Sequence, residues 1–199
     1  MANHLIGFLG GTFDPIHFGH LNLALEIAER KGLDKVLFCP ANVSPLKQGA
    51  PPAVSAEDRF QMVERAIRPI RGFELCDIEL KREGPSYTID TIRALQEGNP
   101  SAQFHLILGG DLMADFKKWK EADQLIKLAP PLVGKRPGVK NPFIDSRVEE
   151  VPIPVIDVSS TTLRDRLRQG LYCGHLVPQP VIDYITSHQL YSSPNGTRH

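Results

Sequence analysis

Residues 10–20 read Gly-Gly-Thr-Phe-Asp-Pro-Ile-His-Phe-Gly-His, a run suited to holding an anion. Glycines let backbone approach a ligand closely, and a helix starting just after them offers unpaired N–H groups and the positive end of its dipole. His17 and His20 are three apart, so at a helix start they share a face and can point at one anion, with no side chain on Gly19 to block it. Taken alone, the run also fits turn glycines followed by two solvent histidines. A zinc site would need further ligands at suitable spacing, and the sequence offers none.

A second set, Val158-Ser159-Ser160-Thr161-Thr162-Leu163-Arg164, reads first as an N-cap cluster. Capping does not account for the arginine one turn in, which can reach the same helix start and clamp a polyphosphate with several donors. Arg166 and Arg168 read as a solvated face. A third, Gly109-Gly110-Asp111, can bring backbone to a purine and a carboxylate to a ribose hydroxyl, or can be a plain strand-to-helix turn. A fourth gathers Asn42, Ser44, Lys47, Ser86, Tyr87, Thr88 and Trp119 as an acceptor site. Trp119 stands among lysines, which suits an exposed stacking surface as well as core burial. Neither GxxxxGK[ST] nor GxGxxG occurs, which removes the main support for P-loop and dinucleotide readings.

The elements that must position these residues alternate in type. Residues 6–9 read as a buried strand. Residues 17–30 read as a helix with Leu21, Ala24, Leu25 and Ala28 on one face, closed by Gly32. Strand patterns recur at 36–39, 73–80, 104–108 and 132–133, with an extended segment at 151–158. Helices are expected from Ser55 (with Asp58 three residues on), after Ser86-Tyr87-Thr88 to about Gln96, and at 161–169 and 181–188. Residues 40–52 form a proline-rich loop, and Lys135-Arg136-Pro137-Gly138 a basic turn. This rhythm predicts an α/β fold: a Rossmann-like, doubly wound parallel sheet with helices on both faces, and ligands at the carboxyl ends of the strands. A single domain over 1–191, helical from about 159, and a flexible tail over 192–199 are expected.

Charge agrees with a localised site. The 199 residues hold 23 Lys+Arg against 23 Asp+Glu, so no diffuse basic surface marks a nucleic-acid or membrane binder. With no spanning run and no signal peptide, a soluble cytoplasmic protein is expected. Cys39, Cys76 and Cys173 are odd in number, far apart and without zinc spacing, and fit free thiols in a reducing compartment.

Together the motifs resemble the HxGH nucleotidyltransferases and, within them, the bacterial nicotinate-nucleotide adenylyltransferase family. GGTFDPIHFGH is similar to that family's G-G-x-F-D-P-x-H-x-G-H and VSSTTLR to its (I/V)-S-x-T-x-(I/L)-R. GPSYTIDTI, LILGGDLMADFKKW, GKRPG and LVPQPVIDYITSHQLY resemble further segments in the same order. The resemblance implies attack of nicotinate mononucleotide on the α-phosphorus of ATP, giving the deamido form of NAD and pyrophosphate. Mg²⁺ would travel with ATP and no protein side chain would hold a metal.

It also implies roles. His17, His20 and Arg164 would be catalytic. Gly10, Gly11, Thr12, Phe13, Gly109, Asp111, Ser159, Ser160 and Thr161 would join them in binding ATP, and Asn42, Lys47, Tyr87, Thr88 and Trp119 would bind the mononucleotide. The implied partners are these small molecules alone, with the chain a monomer or homodimer. The acceptor loop departs from the family's N-x-P-P-H-(K/R): here Ser44 and Leu46 replace a proline and the histidine, and Lys120 stands where a tyrosine often follows the tryptophan. Alternatives are an adenylyltransferase for nicotinamide mononucleotide or phosphopantetheine, a cytidylyltransferase, and a regulator that binds ATP without turnover.

Overall fold

The structure is a computed structural model that describes residues 4–43, 45, 51–135, 145–154 and 156–192. Its strands are β1 (His4–Gly11), β2 (Lys35–Pro40), β3 (Phe73–Leu75), β4 (Ala102–Gly109), β5 (Pro131–Lys135) and β6 (Glu149–Pro152). Its helices are α1 (Phe18–Lys31), α2 (Ala56–Ile67), α3 (Thr88–Gly98), α4 (Gly110–Met113), α5 (Ala122–Leu128), α6 (Ser160–Arg168) and α7 (Gln179–Ser187). The strands form one sheet in the order β3-β2-β1-β4-β5-β6, with every pair parallel. Successive strands run outward one way from β1 and the other way from β4. The crevice beyond the carboxyl ends of those two strands is therefore the place where an open α/β sheet accepts a ligand.

Both faces of the sheet are covered, as the near-continuous apolar strands require. One core packs Ile16, Leu21, Ala24, Ile27, Met62, Val63, Leu163, Val181 and Ile185 from α1, α2, α6, α7 and the segment before α1. The other packs Phe8, Leu106, Ile89, Ile92, Leu125 and Ile126 beneath α3 and α5. Among the described residues no helix is long and apolar enough to cross a membrane.

Local signals act as their chemistry requires. Gly32 closes α1 in the left-handed region (φ 61°), and Ser55 caps α2 by accepting the Asp58 N–H at 3.0 Å. Four expectations are corrected. The buried stripe of α1 is Leu21, Ala24 and Ile27, with Leu25 exposed. The strand expected over 73–80 ends at Leu75, because the N–H groups of Leu80 and Lys81 fold back onto the Asp77 carbonyl. The extended segment expected over 151–158 is a strand only as β6, since Pro152 and Pro154 cannot donate to a ladder. Arg166, expected on a solvated face, is half-buried and donates to the Tyr172 carbonyl at 2.9 Å. Residues 136–138 of the basic turn and 193–199 of the tail lie outside the described residues.

Candidate active site

β1 delivers the chain to the crevice at Gly10 and Gly11, and the following loop turns it into α1. His17 is the N-cap of that helix. Its N–H donates to His20 Nδ1 at 3.3 Å. With Nδ1 accepting, a neutral His20 carries its proton on Nε2. The two imidazoles stack with centroids 3.7 Å apart and planes 23° from parallel. His17 is buried, and desolvation lowers its pKa from 6.5 to about 4, against an opposing backbone hydrogen bond. It is therefore neutral near pH 7. Phe13, at φ 50°, turns its ring into the core, where it meets His20 edge-on at 5.1 Å. Phe13 backs the histidine and does not line the cleft.

The start of α6 closes over the same loop. Ser159 caps the helix by accepting from the Thr162 N–H at 3.1 Å, and Ser160 Oγ donates to the Pro15 carbonyl at 3.0 Å. Arg164 Nη1 donates to the Asp14 carbonyl at 2.7 Å, and its Nη2 to Thr161 Oγ1 at 3.2 Å. Ser159 thus acts as the cap, while Arg164 reaches from the same segment to the β1 loop.

The side chains that hold this loop were not singled out in the sequence. The buried Asp14 carboxylate accepts from the Ala53 N–H and the Tyr191 hydroxyl, each at 2.7 Å, and pairs with Arg164 at 3.8 Å. Burial and then the bond to Asp14 raise the Tyr191 hydroxyl far above its ordinary pKa. Arg59 is 1 % exposed and donates to the carbonyls of Thr12 (2.9 Å) and Ala41 (2.7 Å), joining the exits of β1 and β2. Its burial lowers the guanidinium pKa, and Asp14 opposes the shift. A signal for Arg59 was available, since it sits on the apolar stripe of α2 with Met62, Val63 and Ala66.

The other half of the crevice is framed by the exit of β2 and the start of α3. The Asn42 N–H donates to Ser86 Oγ at 3.0 Å, the Ser86 N–H to the Val43 carbonyl at 2.8 Å, and Asn42 Nδ2 to the Arg82 carbonyl at 3.2 Å. Asn42 thus ties two segments together and does not line the cleft, while Lys47, Ser44 and Leu46 lie outside the described residues. Glu79, 3 % exposed, accepts from Thr91 Oγ1 at 2.8 Å and from Ser86. Desolvation raises its pKa, and the bond from Thr91 leads the opposing effects. Tyr87 caps α3 with Lys120 Nζ 4.7 Å above its ring, and Lys120 also pairs with Asp90 at 2.9 Å. Trp119 is half-buried and tilts against Phe116 at 5.1 Å. It is neither wholly exposed nor core. Its Nε1 is buried without a hydrogen-bond partner among the described residues.

These parts enclose one cleft of about 1460 Å³. Gly10, Gly11, Thr12, His17, His20, Gly109, Asp111, Ser159, Ser160, Thr161 and Arg164 line it together with Tyr87, Thr88 and Trp119. A phosphate-sized anion at the first group and a flat ring at the second would share one continuous space.

The cytidylyltransferase-like family model matches residues 8–166. A protein of Oceanobacillus iheyensis named "Probable nicotinate-nucleotide adenylyltransferase" is 42% identical over 186 residues, covering 94% of this chain and 96% of that protein. One of Hydrogenovibrio crunogenus with the same name is 40% identical over 208 residues, covering 96% and 99%. The fold is similar to Plasmodium falciparum nicotinic acid mononucleotide adenylyltransferase complexed with NaAD, with a TM-score of 0.79 at 21% identity over 95% of this chain and 98% of that one.

Proposed function

The chain belongs to the cytidylyltransferase-like family and, within it, to the nicotinate-nucleotide adenylyltransferases, and from this we infer that its cleft joins ATP to nicotinate mononucleotide, giving nicotinate adenine dinucleotide and pyrophosphate. A phosphate oxygen of the mononucleotide forms a bond to the α-phosphorus of ATP as the bond to the bridging oxygen breaks, and pyrophosphate departs with that electron pair. The nucleophile is already ionised, so no general base is needed, and the protein contributes positioning and charge stabilisation.

In this reading His20 donates from Nε2 to the oxygens on which charge grows, and neutral His17 holds its ring by stacking. Arg164, Thr161, Ser160 and the start of α6 take the leaving pyrophosphate. Thr12 and Gly11 offer backbone to the α-phosphate, and Gly109 and Asp111 take adenosine. Trp119 stacks on the pyridine ring, with Tyr87 and Thr88 at its edge. The side chains at the phosphate end are imidazole, hydroxyl and guanidinium, donors that suit phosphate oxygens. A divalent ion, Mg²⁺ in our reading, would sit on the phosphates and neutralise charge there. We place the reaction in the cytoplasm, in keeping with three free thiols.

The observation that carries this reading is the bond from Arg164 to the Asp14 carbonyl, which brings the helix-start donors of α6 over the histidine loop. A pyrophosphate-release assay with ATP·Mg²⁺ and, in turn, nicotinate mononucleotide, nicotinamide mononucleotide and phosphopantetheine tests it. Release with the nicotinate form well above the others is expected. Preference for another acceptor, or no release with any, would overturn it.

A further inference from the structure

Cys39 and Cys76 are 37 residues apart in sequence but adjacent in the sheet. Parallel pairing of Phe38 with Leu75 ends β3, and the Cys76 N–H to Phe38 carbonyl bond at 2.8 Å carries the ladder one residue further. Cys39 and Cys76 are therefore cross-strand neighbours with side chains on one face, and both pack into the core beneath α3 and α5. Strands lie about 4.8 Å apart, inside the Cα separation a disulfide spans. Each thiol shifts the titration of the other, as neighbouring sulfurs do. Cys173 lies in the other core with its thiol on the Leu171 carbonyl at 3.4 Å.

The two sulfurs are not equivalent. Cys39 is fully buried, and its interaction with Cys76, followed by desolvation, pushes its thiol up. Cys76 is half-buried, and its interaction with Cys39 holds its thiol down, against the effect of burial. Reaction with an oxidant needs access, and Cys76 is the half-buried sulfur where Cys39 is fully buried.

We propose that Cys39 and Cys76 form a dithiol that peroxides oxidise reversibly to an intrachain disulfide, with Cys76 attacked first and Cys39 resolving it. The Cys76 thiolate displaces hydroxide from hydrogen peroxide and becomes a sulfenic acid. Cys39 sulfur then attacks the Cys76 sulfur, the S–S bond forms, and the sulfenic oxygen leaves as water with the Cys39 proton. Overall, two thiols and one peroxide give one disulfide and two waters: each sulfur loses one electron and the peroxide gains two. The backbone N–H of Glu79 rests on Cys39 sulfur, and the Glu79 side chain holds Ser86 and Thr91. Drawing the sulfurs into a bond therefore acts on the frame of the cleft mouth.

The test treats the reduced full-length protein with hydrogen peroxide, then measures intact mass, free thiols and linked peptides, with Cys39→Ser, Cys76→Ser and Cys173→Ser variants alongside. Expected are a mass loss of two hydrogens, a fall from three free thiols to one, a peptide pair joined through Cys39 and Cys76, and reversal by dithiothreitol. Cys173→Ser should behave as the parent, Cys76→Ser should form no link, and Cys39→Ser should leave a sulfenic acid on Cys76 that dimedone traps. Oxidation of Cys76 to sulfinic acid with Cys39 still a thiol would overturn the proposal. So would thiol loss spread to Cys173, or no thiol loss under peroxide that fully oxidises free glutathione.

Discussion

Arg164 and Asp14 stand 150 residues apart and meet through a 2.7 Å hydrogen bond from guanidinium to main-chain carbonyl, with the Asp14 carboxylate 3.8 Å away. This contact brings two separate sequence motifs together on one cleft. It also leaves the other arm of the guanidinium on Thr161, so one planar group bridges the β1 loop and the start of α6.

Lysine cannot make that bridge, because its ammonium is a single point without the fork. Arg164→Lys should fold normally and lower kcat/KM for ATP about ten- to a hundredfold, matching the roughly 1.5–3 kcal/mol of a hydrogen bond to a charged group. Arg168→Lys is the control, since Arg168 is exposed and its Nη1 donates to Asp165 at 2.7 Å. Steady-state rates with ATP varied decide it. Equal activity in the two variants would remove Arg164 from the site.

The buried His17 makes stability depend on pH. Its folded pKa, about 4, lies below the ordinary 6.5, so between these values the unfolded chain binds more protons. The contribution is fully present above about pH 6.5 and is lost as the pH falls toward 4, amounting to about 3 kcal/mol at 1.36 kcal/mol per unit. Urea unfolding at pH 7 and pH 4 should show the parent losing about that much more stability than His17→Gln. An identical pH dependence in both proteins would mean His17 is solvated.

What could be read in the sequence was local. Gly10-Gly11 ending an apolar run, the His17/His20 spacing, and Ser159 before a helical period each signal their own geometry, and those residues do converge on the crevice. What could not be read depends on contacts between distant segments. Asp14 and Tyr191 lie 177 apart, and only the folded chain shows that a residue next to the expected tail supports the β1 loop. Asn42 is expected in the acceptor site, and only the folded chain shows its amide on the Arg82 carbonyl and its N–H on Ser86 Oγ. The strand after Phe73 looked longer than it is, because its apolar residues continue into a turn whose inward carboxylate, Glu79, carries no strand signal.

That carboxylate supports the side of the cleft where we propose the mononucleotide sits. Glu79 holds Thr91 and Ser86, and Ser86 holds the Asn42 N–H, so one side chain orders both rims of the cleft mouth. Glu79→Gln preserves the shape but replaces one acceptor oxygen by a donor facing the same hydroxyls. The KM for the mononucleotide should rise about two- to tenfold, in line with a net hydrogen bond of about 1 ± 0.5 kcal/mol, with the KM for ATP little changed. Initial rates with each substrate varied separate the two. A parallel rise in both constants would identify Glu79 as a support of the whole fold.

Gly19 distinguishes packing from ligand access. A Cβ there would stand 3.0 Å from His17 Nδ1 and 3.0 Å from Val158 Cγ1. His17 cannot recede freely, because its other face stacks on His20 at 3.7 Å, and Val158 immediately precedes the Ser159 cap. Gly19→Ala therefore presses the histidine pair and the start of α6 apart by a few tenths of an ångström. Alanine also favours the helix over glycine by about 0.5–1 kcal/mol, which offsets much of the crowding in the folding balance. The variant should thus melt close to the parent yet turn over about tenfold or more slower, since misplacement of reacting groups costs rate more steeply than stability. Thermal unfolding and single-turnover rates measured on the same preparation test this. Parent-like turnover would show that the histidine pair and α6 have slack, whereas a large fall in melting temperature would make Gly19 a folding residue instead of a spacer between the histidine pair and the start of α6.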